Sequence, residues 1–209
     1  MSRHDSDLRT RLAHEAARIM AEQGVRDYGA AKRKAAERVG ARDEYDLPTN
    51  REIEAALRDY QRLFQSQTQP QRLQELREVA VEAMTFLARF EPRLVGAVLE
   101  GTADAHSAVC LHLFEDDPSE VVRFLDDQQI PYDEDERVLR LSRGHSSEFP
   151  VLRFDADANT IDLTLLPKIH LRQAPLSRTS DTPMRRASIN AVRDLIDLRT
   201  DALQRIERR

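Results

Sequence analysis

The chain has 209 residues, of which 40% are hydrophobic and 33% charged, with a formal net charge of −5 at pH 7. That length supports a real apolar core, and the acidic balance argues against whole-molecule attraction to nucleic acid. A single cysteine, Cys110, excludes an internal disulfide, and no apolar run is long enough to span a bilayer.

Lys32, Lys34 and Lys168 are the only lysines; every other basic residue is arginine. A guanidinium is a planar, permanently charged fork suited to carboxylates and phosphates, although a GC-rich genome produces the same bias. The opening residues lack a basic stretch followed by an apolar one, so no signal peptide is expected. The resulting expectation is a cytoplasmic, bacterial protein with no membrane partner.

The first third reads as helices. Leu8, Leu12, Ala16, Ile19 and Met20 recur at helical spacing and Gly24 supplies a stop, while a second helix is predicted from Asp27 to Val39, ending at Gly40. Thr49 followed by Glu52 is a capping box, opening a third helix with Ile53, Leu57, Tyr60 and Phe64 as its buried stripe. The polar segment from Gln65 to Gln71, which contains Pro70, is read as a break or linker. A fourth helix then runs to Phe90 on Leu73, Leu76, Ala80, Met84 and Leu87.

After Pro92 the period changes. Leu94 to Leu99 reads as one short strand, Ala108 to Phe114 as an alternating strand, and Asp117-Pro118 as the start of a helix burying Val121, Val122 and Leu125. Further strands are predicted at 137–142, 149–155 and 160–166, with a hairpin turn at Asp157-Ala158-Asn159. A long polar connection from Pro167 to Pro183 leads to a last helix, capped by Ser188 and carrying Ile189, Val192, Leu195, Ile196 and Leu203. The fold class is therefore α+β, with a helical N-terminal region over 1–69 and a mixed-sheet domain over 70–209.

The turn Gly101-Thr102, then Ser107, then the strand from Ala108, then a helix and later strands resembles the DNA polymerase β-like nucleotidyltransferase superfamily. The resemblance covers about Leu94 to Leu166 and implies a small mixed sheet of nucleotidyltransferase type. In that superfamily the Gly-Ser or Gly-Thr turn approaches nucleotide phosphates, which assigns Gly101, Thr102 and Ser107 to nucleotide binding. The following strand carries Asp-x-Asp, because residues i and i+2 share a face and can together hold a pair of Mg²⁺ ions. Here those positions are Ala108 and Cys110. Alanine binds no metal, and a thiolate is a poor ligand for a hard cation. The third acidic residue of the superfamily matches Asp162, which is the candidate catalytic residue, and Asp162 with Thr164 should face Cys110 and His112 if their strands are adjacent.

Three functional readings follow. A divergent nucleotidyltransferase-like protein without two-metal catalysis would bind a nucleotide or RNA. An active nucleotidyltransferase would recruit Asp104 or Glu100 as substitute Mg²⁺ ligands. A non-catalytic protein-interaction module would use the core only as a scaffold.

Three other clusters carry chemistry, one being Arg185 and Arg186 just before the last helix, for which the sequence leaves open a phosphate in the cleft, acidic partners or a tie to the core. Cys110, His112 and Asp162 combine the atom types of a zinc site but lack the spacing of a zinc motif, so no metal is assigned to them. Lys32, Arg33, Lys34 and Arg38, with Arg42, form the one basic cluster and the candidate nucleic-acid contact, set against the plainer reading of a solvated helix face.

Overall fold

A computed structural model describes residues 3–41 and 47–207, with side chains from 7 to 198 among them. Arg42 and the side chain of Leu203 lie outside the described residues. The chain divides into two compact units: Met1–Pro70 with Asp104–His106 and Arg178–Ser180, and Gln71–Ala103 with Ser107–Ser177 and Asp181–Arg209.

The first unit is built on helices α1 (Arg3–Gln23), α2 (Tyr28–Val39) and α3 (Asn50–Phe64). Leu12, Ala16, Ile19 and Met20 of α1 meet Ala31 and Ala35 of α2 and Ile53, Ala56 and Leu57 of α3 in one buried cluster. Small alanines let α2 approach closely, so its core stripe is short and narrow. Asp27 caps α2 by accepting the Ala30 N–H at 2.7 Å, and Gly40 ends it in the left-handed conformation.

The capping box of α3 is present in full: the Glu52 N–H donates to Thr49 Oγ1 at 3.3 Å, and the Thr49 N–H donates to Glu52 Oε2 at 2.6 Å. Arg9 donates three further bonds to the same carboxylate, and these, with those from Thr49, hold the Glu52 carboxyl down to about 2. Thr49→Ala is expected to destabilise the first unit by about 1 kcal/mol, while Thr49→Ser retains most of that stability. Amide exchange at the first turn of α3 checks it: unchanged protection in Thr49→Ala would show the cap to be dispensable.

Two expectations are corrected here. Phe64 is not part of the buried stripe but 71% exposed, because the buried positions of α3 end at Gln61 and the last turn overhangs with Phe64 stacked on Tyr60 at 4.8 Å. The break expected over 65–71 is present but shorter, confined to 65–67 between α3 and α4 (Thr68–Phe86), which already includes Pro70. Proline is tolerated there because the first-turn N–H groups have no partner within the helix.

The second unit is a five-stranded mixed sheet with helices on one face, which places the protein in the α+β class. Its strands are β1 (Arg93–Val95), β2 (Val109–Phe114), β3 (Asp133–Ser142), β4 (His145–Ala156) and β5 (Asn159–Leu166), in the order β1-β2-β5-β4-β3. Only β2 and β5 run parallel. Strand period 2 sends Leu94, Val109, Leu111, Leu113, Leu152, Ile161, Leu163 and Leu165 to the helical face. There they pack with α4, α5 (Gly96–Glu100), α6 (Ser119–Asp127) and α7 (Ile189–Glu207).

The run from Leu94 to Leu99 is not one strand. Gly96 takes φ 72°, a left-handed conformation that ends β1 and lets α5 begin at once. α6 starts one residue past Pro118, with Asp117 Oδ1 accepting the Ser119 N–H at 3.0 Å. Among the described residues no helix is long and apolar enough to cross a membrane.

Candidate functional site

The sheet's second face holds the polar residues. Register sets Cys110 beside Asp162 and His112 beside Thr164 on the parallel pair β2 and β5, so the face anticipated for them exists. β1 adds Arg93 opposite His112, and β4 adds Arg153 opposite Asp162. One end of this face is closed by Phe114, Leu139, Phe149 and Leu166, with Leu171 packed against them.

Asp162 is only 5% exposed, and both of its oxygens are taken. Arg137 of β3 reaches across β4 to donate to Oδ1 at 2.7 Å and to Oδ2 at 2.9 Å, and also to Thr164 Oγ1 at 2.8 Å. Arg153 donates to Oδ2 at 3.0 Å and, with its other end, to Asp135 at 2.7 Å. Burial alone would raise the Asp162 carboxyl, but the bonds from Arg137 and Arg153 outweigh it and hold the group below its ordinary value. A forked guanidinium pairing of this kind is strong and directional.

Arg137 and Arg153 escaped the sequence reading. The available signal was a lone arginine within Phe149-Pro-Val-Leu-Arg153-Phe154 and a lone aspartate within Ile161-Asp162-Leu163: opposite charges on otherwise apolar strands stabilise each other when the strands pair.

Such a donor set does not fit Mg²⁺. Ala108 offers no ligand atom, Cys110 offers sulfur, and the Asp162 oxygens already accept from two cations. Among the described residues no group of three or more His, Cys, Asp or Glu side chains is placed to hold a metal ion. Glu100, a proposed substitute ligand, pairs with Arg185 at 3.0 Å. Asp104, the other, belongs to the first unit, where it is bonded to Arg26 and accepts the His106 N–H at 2.9 Å.

The Gly101-Thr102 turn is built as a helix end. Gly101 takes φ 83° and the N–H groups of Gly101, Thr102 and Ala103 all donate to the Ala97 carbonyl, at 2.9, 3.0 and 3.1 Å. Thr102 and Ser107 are buried. Main-chain donors already engaged in this way are not presented to a phosphate, unlike the open amides of a phosphate cradle.

In the comparisons with known proteins, no family model matches the chain. No curated protein and no solved structure matches it either.

His112 is the other buried polar residue of the face. It is 2% exposed, and its Nδ1 has no hydrogen-bond partner. Burial first, then the charges of Arg186 and Arg137, push the imidazole down to about 3, so it is neutral at physiological pH. Arg186 lies over the Phe114 ring with its Cζ 5.4 Å from the centroid, and donates to the carbonyls of His170 and Leu171 at 2.6 and 3.0 Å.

On α2, the four candidate nucleic-acid residues do not gather on one face. At 3.6 residues per turn Lys34 and Arg38 lie about 40° apart, but Lys32 is about 160° from Lys34. Arg38 is tied to Glu15 at 3.0 Å, Lys32 is half-buried with its ammonium lowered by desolvation, and Arg33 and Lys34 are exposed.

Proposed function

We propose that the chain is a divergent nucleotidyltransferase-like protein that binds a nucleotide on the polar face of its sheet without two-metal catalysis. The observation that carries this reading is the forked pairing of Asp162 with Arg137, joined by Arg153. A carboxylate held by two guanidinium groups is a structural anchor, and the position paired with it on β2 is Cys110. Recognition of the phosphates falls instead to arginine, which needs no bridging cation. Because the cations of α2 encircle that helix, the reading favours a nucleotide on the sheet over an RNA on the basic helix.

Calorimetry with ATP, GTP, CTP and UTP tests it, in Mg²⁺ and again in EDTA. Heat with at least one nucleotide, unchanged by EDTA, is the expected result, together with no transfer of labelled nucleotide to RNA or protein. No heat with any of them would leave the interaction-module reading standing. Mg²⁺-dependent binding together with transfer of the label would establish the enzyme reading in its place.

A further inference from the structure

The charges of the polar face balance on one side and not on the other. Around Asp162 two guanidinium groups, Arg137 and Arg153, meet two carboxylates, Asp162 and Asp135. Toward β1 no such balance exists. Among the described residues no carboxylate pairs with Arg186, whose bonds run to main-chain carbonyls. Arg93 donates to the carbonyls of Glu91 and Pro92, and its nearest carboxylate, on Glu91, is 4.0 Å away.

Backbone pairing brings these residues to one place. Leu94 and Ala187 exchange two hydrogen bonds, Leu94 N–H to the Ala187 carbonyl at 2.9 Å and the reverse at 3.0 Å. Both side chains belong to the helical face of the sheet. Their neighbours in sequence, Arg93 and Arg186, therefore turn to the opposite face, where Arg93 is the cross-strand partner of His112. Arg186 and Arg93 are close enough that Arg93, after burial, lowers the Arg186 guanidinium below its ordinary value. Two like charges are thus held together beside a buried imidazole whose Nδ1 lacks a partner.

Resting on the nucleotide reading above, the geometry points to Arg93, Arg186 and His112 as a subsite for a phosphate group, the terminal phosphate of a nucleotide or a free phosphate. The two guanidinium groups supply the countercharge, and the neutral imidazole supplies one N–H donor. A phosphate dianion matches this set because it brings two negative charges and several acceptor oxygens to a place with cations and an unused polar atom. Binding relieves the repulsion between the two arginines, so the site prefers a phosphomonoester to the uncharged nucleoside.

Inorganic phosphate, a nucleoside monophosphate and the bare nucleoside are titrated into the full chain. Heat is followed by calorimetry and the His112 imidazole nitrogens by ¹H–¹⁵N NMR. Both phosphate-bearing ligands are expected to bind and to move the His112 resonances, and the nucleoside to do neither. Arg186→Ala and Arg93→Gln should each weaken phosphate at least about tenfold, the loss expected for a charge-assisted bond, while Arg143→Ala on the β3–β4 turn should not.

Arg186 also holds the carbonyls of His170 and Leu171, so its variant could disturb that segment. Arg93→Gln tests the subsite even then, and circular dichroism checks both folds. Phosphate binding that leaves His112 unmoved, or that neither variant weakens, overturns the subsite. If nucleotides still bind both variants as well as the parent, the subsite fails and the nucleotide reading stands; if phosphate binds with Arg93 dependence but no nucleotide does, the reverse holds. If neither phosphate nor any nucleotide binds, both are overturned.

Discussion

Replacing Asp162 with alanine is expected to destabilise the sheet of the second unit by about 3–5 kcal/mol, the loss typical of a buried ion pair deprived of one partner. The penalty comes less from the bonds removed than from the charge left behind. Arg137 loses both bonds to the carboxylate and keeps only Thr164, while its side chain, 20% exposed, has little water to turn to. Arg153 suffers less, because Asp135 still accepts from its other end. Asp162→Asn should recover little, since a neutral amide does not compensate a buried guanidinium.

The double replacement Asp162→Leu with Arg137→Met should recover most of the loss, because removing both charges also removes the desolvation cost. Amide exchange of β2 and β5 reports these differences locally. A near-wild-type protection pattern in Asp162→Ala would show that the carboxylate is not a structural anchor, and would return it to the chemistry its position in the sequence suggests.

The parts of this fold that the sequence made legible are those where a local rule agrees with the tertiary packing. Thr49 and Glu52 sit three apart before an apolar stripe, and nothing distant competes with their reciprocal bonds. The alternation expected from Ala108 to Phe114 survives from Val109 onward, in β2, because one face of that strand lies under helices. Where the outcome depends on a single backbone torsion, the pattern was silent: Leu94 to Leu99 is apolar enough for a strand, and only the left-handed Gly96 divides it.

The site was less legible than the fold, for a related reason. Cys110, His112, Asp162 and Thr164 lie on two strands whose pairing could be anticipated, and their registry follows. Arg137 is different, because it comes from a strand that is not a neighbour of β5 and crosses β4 to reach its partner. A sequence pattern records which face a residue occupies but not how far a long side chain extends over it. Arg186 was legible as one of two adjacent arginines before the last helix, but not the Leu94–Ala187 bridge that brings it to this face from outside any strand.

Acid should unfold the second unit through His112. The imidazole is lowered from its ordinary 6.5 to about 3 in the folded chain, whereas the unfolded chain protonates it normally. Between those two values the unfolded state binds the extra proton, so the stability present above about pH 6.5 is lost as pH falls toward 3. Across that window the loss is on the order of 5 kcal/mol, comparable with the whole stability of a small domain. Arg186, Arg137 and His170 all disfavour the imidazolium, and the one group that favours it, Asp162, is already committed to two arginines.

The lowered carboxyl of Asp162 adds to the trend at the acid end: its contribution is present above its ordinary value of 3.8 and disappears as pH drops through the folded one. His112→Phe removes the titration while keeping a flat ring at this buried position, and it also deletes the orphaned Nδ1. Stability of the variant, measured by urea unfolding at half-unit steps from pH 7 to 4.5, should be nearly flat where the parent falls. Equal slopes in the two proteins would mean that the imidazole finds a proton acceptor in the folded state, and that its burial does not govern acid stability.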